Sequence, residues 1–200
     1  MKSVVFDVGM VLLYWDPRQI WADEFATMAE VEEFLEEIDF MEWHKEQDRG
    51  RSFADGIRDH AQKFLHHAGK LGRYDTHWDH SITGPIEGSV EILRTLKDAD
   101  TPLYGITNFP SEKFTLARQR FDFLNLMQDV VVSGDEKLIK PDPAIYTCLI
   151  DRNGLVAEDC IFIDDSPKNI DAANALGIDG ILFTGPDDLS QALRDRGLPV

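Results

Sequence analysis

Positive charge is what this sequence has least of. Twenty lysines and arginines stand against 37 aspartates and glutamates, leaving a net charge of −17 over 200 residues. A field of that sign repels phosphate backbones, which argues against a nucleic-acid partner or an anionic membrane surface. Long apolar runs are missing too: no stretch approaches the roughly 20 residues that a membrane span needs. Cysteine is reduced to two residues, Cys148 in "IYTCLI" and Cys160 in "DCIFID". Both contexts are apolar, which predicts buried free thiols in a reducing compartment rather than a disulfide framework. The opening "MKSVVFDVG" runs straight into strand-like sequence with no cleavable signal pattern, so a cytoplasmic protein is expected. The negative field still admits a small phosphorylated substrate, provided that local cations receive it. A lysine and a metal site are therefore the features to look for.

What is present is enough for a core. The hydrophobic fraction is 43%, and the length suits one domain or one domain carrying an insertion. Composition changes along the chain. All four tryptophans (Trp15, Trp21, Trp43, Trp78) and all six histidines fall between residues 15 and 80. Within that segment Ile20, Phe25, Met28, Val31, Phe34, Leu35 and Ile38 approximate helical spacing, and a second helical stretch runs from Ser52 to His67. Elsewhere apolar runs alternate with helical patterns. Strands are predicted at 1–13, 101–107, 129–134, 160–164 and 179–184. Helices are predicted at 89–99, 111–121, 142–154, 166–177 and 187–196. Continuous apolar strands alternating with helices imply an α/β fold, a doubly wound parallel sheet covered on both faces. Residues 1–14 and 86–200 then form the core, and residues 15–85 an all-helical insertion, hinged near Trp15-Asp16-Pro17 and Gly84-Pro85.

In such a sheet, ligands sit beyond the carboxyl ends of the strands, where the strand order reverses. The first strand delivers Asp7 and Gly9 to that edge, and the second delivers Thr107 and Asn108 ("GITNFP"). The fourth delivers Asp164 and Asp165 ("IFIDDSPKN"), and the loop before it brings Lys140 ("EKLIKPDP"). Asp7, Asp164 and Asp165 repel one another unless a cation sits among them, and oxygen-only ligation suits a hard ion such as Mg²⁺. A phosphoryl group bound there meets Mg²⁺, the Lys140 ammonium, and hydrogen bonds from Thr107 and Asn108. Positioning and charge neutralisation of this kind are what phosphoryl transfer chiefly requires. A free oxygen of Asp7 is then placed to attack phosphorus and form an aspartyl phosphate.

These residues resemble the haloacid dehalogenase-like (HAD) hydrolases over nearly the whole chain. "FDVG" is similar to their first motif, Thr107 in "ITNF" to the second, Lys140 in "IKPDPAIY" to the third and "IDDSPKNI" to the fourth. A helical cap inserted after the first motif is their C1 arrangement. The nearest resemblance is to the subgroup of the soluble epoxide hydrolase phosphatase domain and bacterial sugar-1-phosphate phosphatases, whose acid-x-Gly turn "EQDRGRSF" is similar to. The resemblance implies a Mg²⁺-dependent phosphatase acting on a small phosphorylated metabolite, a sugar phosphate by the subgroup. Asp7 and Lys140 are then the catalytic pair, with Asp7 as nucleophile and metal ligand. The carbonyl of Gly9 and the carboxylate of Asp165 are further ligands, Asp164 supports them, and Thr107, Asn108 and Lys140 hold the phosphate. Gly9 departs from the family pattern, since most of these phosphatases carry an aspartate there as general acid. Asp16, His44, Glu46 and Asp48 are the candidate replacements. Two other readings stand beside the phosphatase: a 2-haloacid dehalogenase, and a binding protein that has lost its acid. The Asp164-Asp165 pair speaks against the first, and retention of Asp7 and Lys140 against the second. His77 and His80 flank Asp79 but lack a cysteine partner, so packing is expected of them rather than zinc binding.

Overall fold

The computed structural model describes residues 2–200; Met1, the first residue of the predicted opening strand, lies outside the described residues. Five parallel strands form the sheet: β1 (Ser3–Phe6), β4 (Leu103–Thr107), β5 (Asp129–Val132), β6 (Cys160–Asp164) and β7 (Asp179–Leu182), in the order β5-β4-β1-β6-β7. The chain steps outward from β1 to β4 and β5, then recrosses to β6 on the other side of β1. The strand order therefore reverses beside β1, and β1, β4 and β6 end at the same place. Val4 lies opposite both Leu103 and Ile161, so one face carries matched aliphatic residues.

The alternation of side chains explains the two layers of helices. Val4, Phe6, Leu103, Ile161 and Ile163 pack on one face with α6 (Glu87–Asp98) and α11 (Pro186–Asp195). Val5, Tyr104, Ile106 and Phe162 pack on the other with α9 (Pro143–Asn153) and α10 (Pro167–Ala175). Both faces are thus apolar, which is why the strands read as continuous hydrophobic runs. Asp142 caps α9 by accepting from the Ala144 N–H, Pro143 occupies its first turn, and Gly154 closes it at φ +60°. The sequence placed these four helices, and every strand but the first, within a few residues.

Three local expectations are corrected. The opening strand is short: β1 stops at Phe6, and residues 7–12 turn back on themselves. The Val8 carbonyl accepts from both Leu12 and Leu13, and Met10 adopts φ +58°. Val11 and Leu12 are apolar because they are buried in this turn, so apolarity alone mimicked a longer strand. The chain then forms β2 (Leu13–Trp15), which pairs antiparallel with β3 (Ile82–Pro85). The expected hinges at both ends of the insertion are therefore largely a two-stranded ribbon. The third strand also ends early, because Ser133–Glu136 coil into a short helix, α8.

Among the described residues no strand lies between β2 and β3. The single helix expected from Ile20 to Ile38 is instead a 3₁₀ turn (Pro17–Ile20), an irregular stretch, and α1 (Met28–Glu37). Thr27 sets that late start through a capping box with Glu30. Next come α2 (Phe40–Asp48), α3 (Phe53–Lys63), α4 (Ala68–Leu71) and α5 (Arg73–Thr76); α7 (Ser111–Arg120) follows β4 in the core. The segment's interior is built from rings. Trp21 meets Phe34 and Phe40 edge-on and stacks on Tyr74, while His60 lies flat on Trp43 at 4.2 Å. His44 stacks on both Trp15 and Phe40. No described helix is long and apolar enough to cross a membrane.

Candidate active site

The strand ends deliver an ionic cluster. Asp7 follows β1 directly, and its backbone N–H donates to the Ile163 carbonyl, which ties it to the adjoining strand β6. Its Oδ1 accepts from the Val8 N–H at 2.7 Å, and its Oδ2 lies 2.8 Å from the Lys140 ammonium. The same Lys140 Nζ donates to Asp164 Oδ2 at 2.7 Å. Asp164, fully buried at the end of β6, also accepts from the Ser166 N–H and from Asn169 Nδ2. Lys140 is therefore a buried bridge between two carboxylates from neighbouring strands. Asp165, one residue on, is open to solvent, and an oxygen from each of Asp7, Asp164 and Asp165 lies within 4.8 Å of the others.

The second strand contributes differently from expectation. Thr107 at the end of β4 is buried, and its Oγ1 has no hydrogen-bond partner. Asn108 does not aim its side chain at an anion. Its Oδ1 accepts from the Lys140 N–H at 2.8 Å, and its Nδ2 donates to the Lys140 carbonyl at 3.2 Å. The amide thus clamps the loop that carries Lys140 with both its oxygen and one of its N–H groups. Asn169 was missed in the sequence. Its signal is the fifth position after Asp164, which one turn of α10 brings back to the carboxylate. Beneath it the Tyr146 hydroxyl donates to the Asn169 carbonyl, anchoring that turn from the core.

Three acids share one lysine here, and the electrostatics register the imbalance. Burial pushes the Asp7 carboxyl up to about 8, with Lys140 opposing the rise and Asp164 adding to it. Asp165 is raised by partial burial and then by the charge of Asp164. Burial works against the Lys140 ammonium, yet Asp7 and Asp164 together raise it above the ordinary lysine range. A cluster of oxygen donors with excess negative charge and no nitrogen or sulfur ligand is the donor chemistry of a hard divalent cation. The residues present therefore fit Mg²⁺, and the unpartnered Thr107 hydroxyl fits an anion beside it. Among the described residues one other group has ligand spacing, Glu37 with His66 and His67 on the surface of the helical segment; His77 and His80 have none, and pack against each other.

Beside the cluster, adjoining it through Gly9 and Asn108, is a cavity of about 250 Å³. Gly9, Met10 and Asn108 line it from the sheet side, and Trp15, Met41, His44 and Asp48 from the helical segment, with Trp78 and Phe109 closing the end. A Cβ on Gly9 would meet no atom within 4 Å, and its φ is not in the left-handed region, so the backbone does not demand glycine there. The four candidate acids are now distinguishable by place. Asp16 is bound by Arg18 and Gln19; partial burial works to raise its carboxyl, and those bonds outweigh it and hold it below the usual range. Glu46 pairs with Arg49 on the exposed side of α2. His44 and Asp48 alone of the four line the cavity.

A family profile for haloacid dehalogenase-like hydrolases matches residues 4–183. Flavin mononucleotide hydrolase 1 of Arabidopsis thaliana is 31% identical over 58% of this chain and 46% of its own length. This chain thus spans about half of that relative. Sesquiterpene phosphatase astK of Aspergillus oryzae is 26% identical over 98% of this chain and 96% of its own length. In fold, the chain is similar to a HAD family enzyme of Bacteroides thetaiotaomicron solved with magnesium and inorganic phosphate. That similarity has a TM-score of 0.74 and 21% identity, covering 97% of this chain and 100% of the other.

Proposed function

The chain belongs to the haloacid dehalogenase-like hydrolases, and within that family we propose that it is a Mg²⁺-dependent phosphatase of a small phosphorylated metabolite, acting through an aspartyl phosphate on Asp7. The observation that carries this reading is the Lys140 bridge, 2.8 Å from Asp7 and 2.7 Å from Asp164, at the point where the strand order reverses. Asp7, the Gly9 carbonyl and Asp165 are the proposed metal ligands, with Asp164 supporting them; bound there, Mg²⁺ supplies charge neutralisation to the transferring phosphoryl group. Asp7 attacks phosphorus, and the Val8 N–H on Oδ1 fixes the carboxylate so that Oδ2 faces Lys140. Lys140 meets the phosphoryl oxygens as a fixed ammonium, because Asp164 and the Asn108 clamp hold it without any rearrangement. Thr107 Oγ1 donates to the same group, which supplies the partner that this buried hydroxyl lacks.

Residues 15–85 are proposed to act as the cap that chooses the substrate. The cavity wall of Met10, Trp15, Met41, Trp78 and Phe109 favours a leaving group with a flat or C–H-rich face, which a sugar phosphate presents. The flavin and sesquiterpene named for the two relatives are faces of the same kind. The unpartnered Trp78 indole N–H adds one polar contact at that end. A cytoplasmic location belongs to the same reading, supported by two unpaired cysteines.

The test is phosphate release from a panel of sugar, flavin, prenyl and aryl phosphates, with Mg²⁺ and in excess chelator. Metal-dependent release that Asp7→Asn abolishes is the expected result. Undiminished turnover in chelator, or chloride release from 2-chloropropionate, would replace the phosphatase with the dehalogenase reading.

A further inference from the structure

We infer that Asp48, at the end of α2, is the general acid and base that the sheet edge lacks at Gly9, so that the cap and not the core completes the catalytic set. This rests on the phosphatase reading above. The acid is needed because the leaving oxygen of an alkyl phosphate must be protonated as it departs, a contribution of about 10²–10⁴-fold.

Asp48 is the candidate that geometry singles out. It is 6% exposed and lines the cavity together with Gly9 and Asn108. Its Oδ1 is buried with no hydrogen-bond partner, while its Oδ2 lies 3.6 Å from His44 Nε2. A buried carboxyl oxygen without a partner is costly unless something is to be bound there. His44 is held in turn, stacked on Trp15 and Phe40, with its Nδ1 in a 2.5 Å hydrogen bond to the Tyr74 hydroxyl. The imidazole thus stays beside Asp48 as its charge partner and has little freedom to reach the substrate itself.

The turn that follows explains how the acid gets so close to the core. Gly50 adopts φ +90°, and a Cβ there would come within 2.5 Å of the Gly134 carbonyl. The glycine allows the end of α2 to rest on backbone from α8, which brings Asp48 to the cap–core seam. The groups facing Asp48 are His44, Lys45 and Arg49 from its own helix and turn, Tyr74 from α5, and Lys140 from the core. Burial raises the carboxyl above the usual aspartate range against the pull of His44, Lys140 and Arg49, which suits a group that starts protonated.

The chemistry balances. As the bond from Asp7 oxygen to phosphorus forms, the ester P–O bond breaks and Asp48 gives its proton to the departing oxygen. The products are the free alcohol, the aspartyl phosphate and the Asp48 carboxylate. Water then attacks phosphorus while Asp48 takes its proton, releasing inorganic phosphate and restoring Asp7 and protonated Asp48.

The test compares an aryl phosphate, whose phenolate leaves unaided, with an alkyl or sugar phosphate that the wild type hydrolyses. Asp48→Asn should lower kcat on the alkyl ester by roughly 10²-fold or more, with KM nearly unchanged, and lower formation of the aspartyl phosphate from the aryl ester less than about 10-fold. The alkaline limb of the kcat profile should disappear in the variant. Adding Gly9→Asp to Asp48→Asn should restore alkyl turnover, since the space above Gly9 is open. Equal losses in acyl-phosphate formation on both esters, an unchanged pH profile, or no loss at all would overturn the assignment while leaving the phosphatase reading intact. Failure of the wild type to release phosphate from either ester would overturn both.

Discussion

The sheet unit and the helical segment solve the same problem of burial with different materials. The sheet is closed by aliphatic side chains that alternate above and below each strand, as Val4 and Val5 do in β1. The helical segment has no sheet to order its interior and relies on rings: Trp21, Phe34, Phe40, Trp43, Phe53, His60 and Tyr74 interlock by stacking and edge contacts. Aromatic pairs gain about 0.5–1.5 kcal/mol each beyond area burial, and short helices need that extra orientation. The crowding of tryptophan and histidine between residues 15 and 80 therefore reflects construction first. The chemistry divides in a matching way. The sheet edge places its charged groups rigidly at strand ends, whereas the helical segment offers a mostly apolar wall into which Asp48 and His44 are set side by side.

That contrast predicts where substitutions will be felt. The largest effect should come from the sheet edge: Asp7→Asn should reduce phosphate release by roughly 10⁴-fold or more with the far-ultraviolet spectrum unchanged. Survival of turnover would show that the strand end is not where the covalent step occurs. Next, Lys140→Met leaves Asp7 and Asp164 buried without their shared cation and should cost about 3–5 kcal/mol in denaturant unfolding. Trp21→Ala, in the ring cluster, should cost a similar or slightly smaller amount, about 3 kcal/mol, with loss focused on hydrogen-exchange protection in residues 17–81. Protection lost equally in β1 and β6 would mean that the two units unfold as one.

Acidity should separate the units further. Burial holds the His60 imidazole below its ordinary value of 6.5, and its Nε2 is bonded to the Ile38 carbonyl. Because the unfolded chain takes up that proton more readily, His60 contributes its full stability above pH 6.5 and loses it as pH falls toward the depressed folded value. Unfolding of the helical segment, followed by tryptophan fluorescence, should shift to lower denaturant on acidification, and His60→Gln should flatten the trend. The smallest expected effect is at the surface: Thr27→Ala removes half of the capping box and should cost about 1 kcal/mol, confined to α1.

Much of the sheet edge was legible because its signals are local. A polar residue after a short apolar run marks a strand's carboxyl end, and parallel topology brings such ends together; this put Asp7, Thr107, Asp164 and Asp165 at one edge, with Lys140 coming from the loop before the fourth of these strands. The side-chain partners were not legible. Asn108 reads as a phosphate contact until its amide is seen clamping Lys140, and Asn169 carries no signal apart from its distance from Asp164. The helical segment was less transparent still. Helical spacing around Ile20–Ile38 overran the true start of α1, because Ile20 and Phe25 are apolar for packing reasons outside that helix. The β2–β3 ribbon joins Leu13 to Pro85, and strands of three and four residues leave little pattern to find.

Order along the chain, then, was determined by sequence alone: the alternation of strands and helices, the insertion's composition, and which strand ends carry acids. These follow from continuous apolar runs and from a period of 3.6 residues, which need no knowledge of neighbours. Tertiary structure decided that, of Asp16, His44, Glu46 and Asp48, only His44 and Asp48 line the cavity beside Gly9. All four are polar residues of the same inserted segment, and only burial and partners tell them apart. Asp16 is taken by Arg18, Glu46 by Arg49, and His44 by Tyr74 and two rings. Asp48 alone keeps a buried oxygen unspent, because Gly50 lets its helix end rest against the backbone at Gly134, a contact between residues too far apart in sequence for any local pattern to encode.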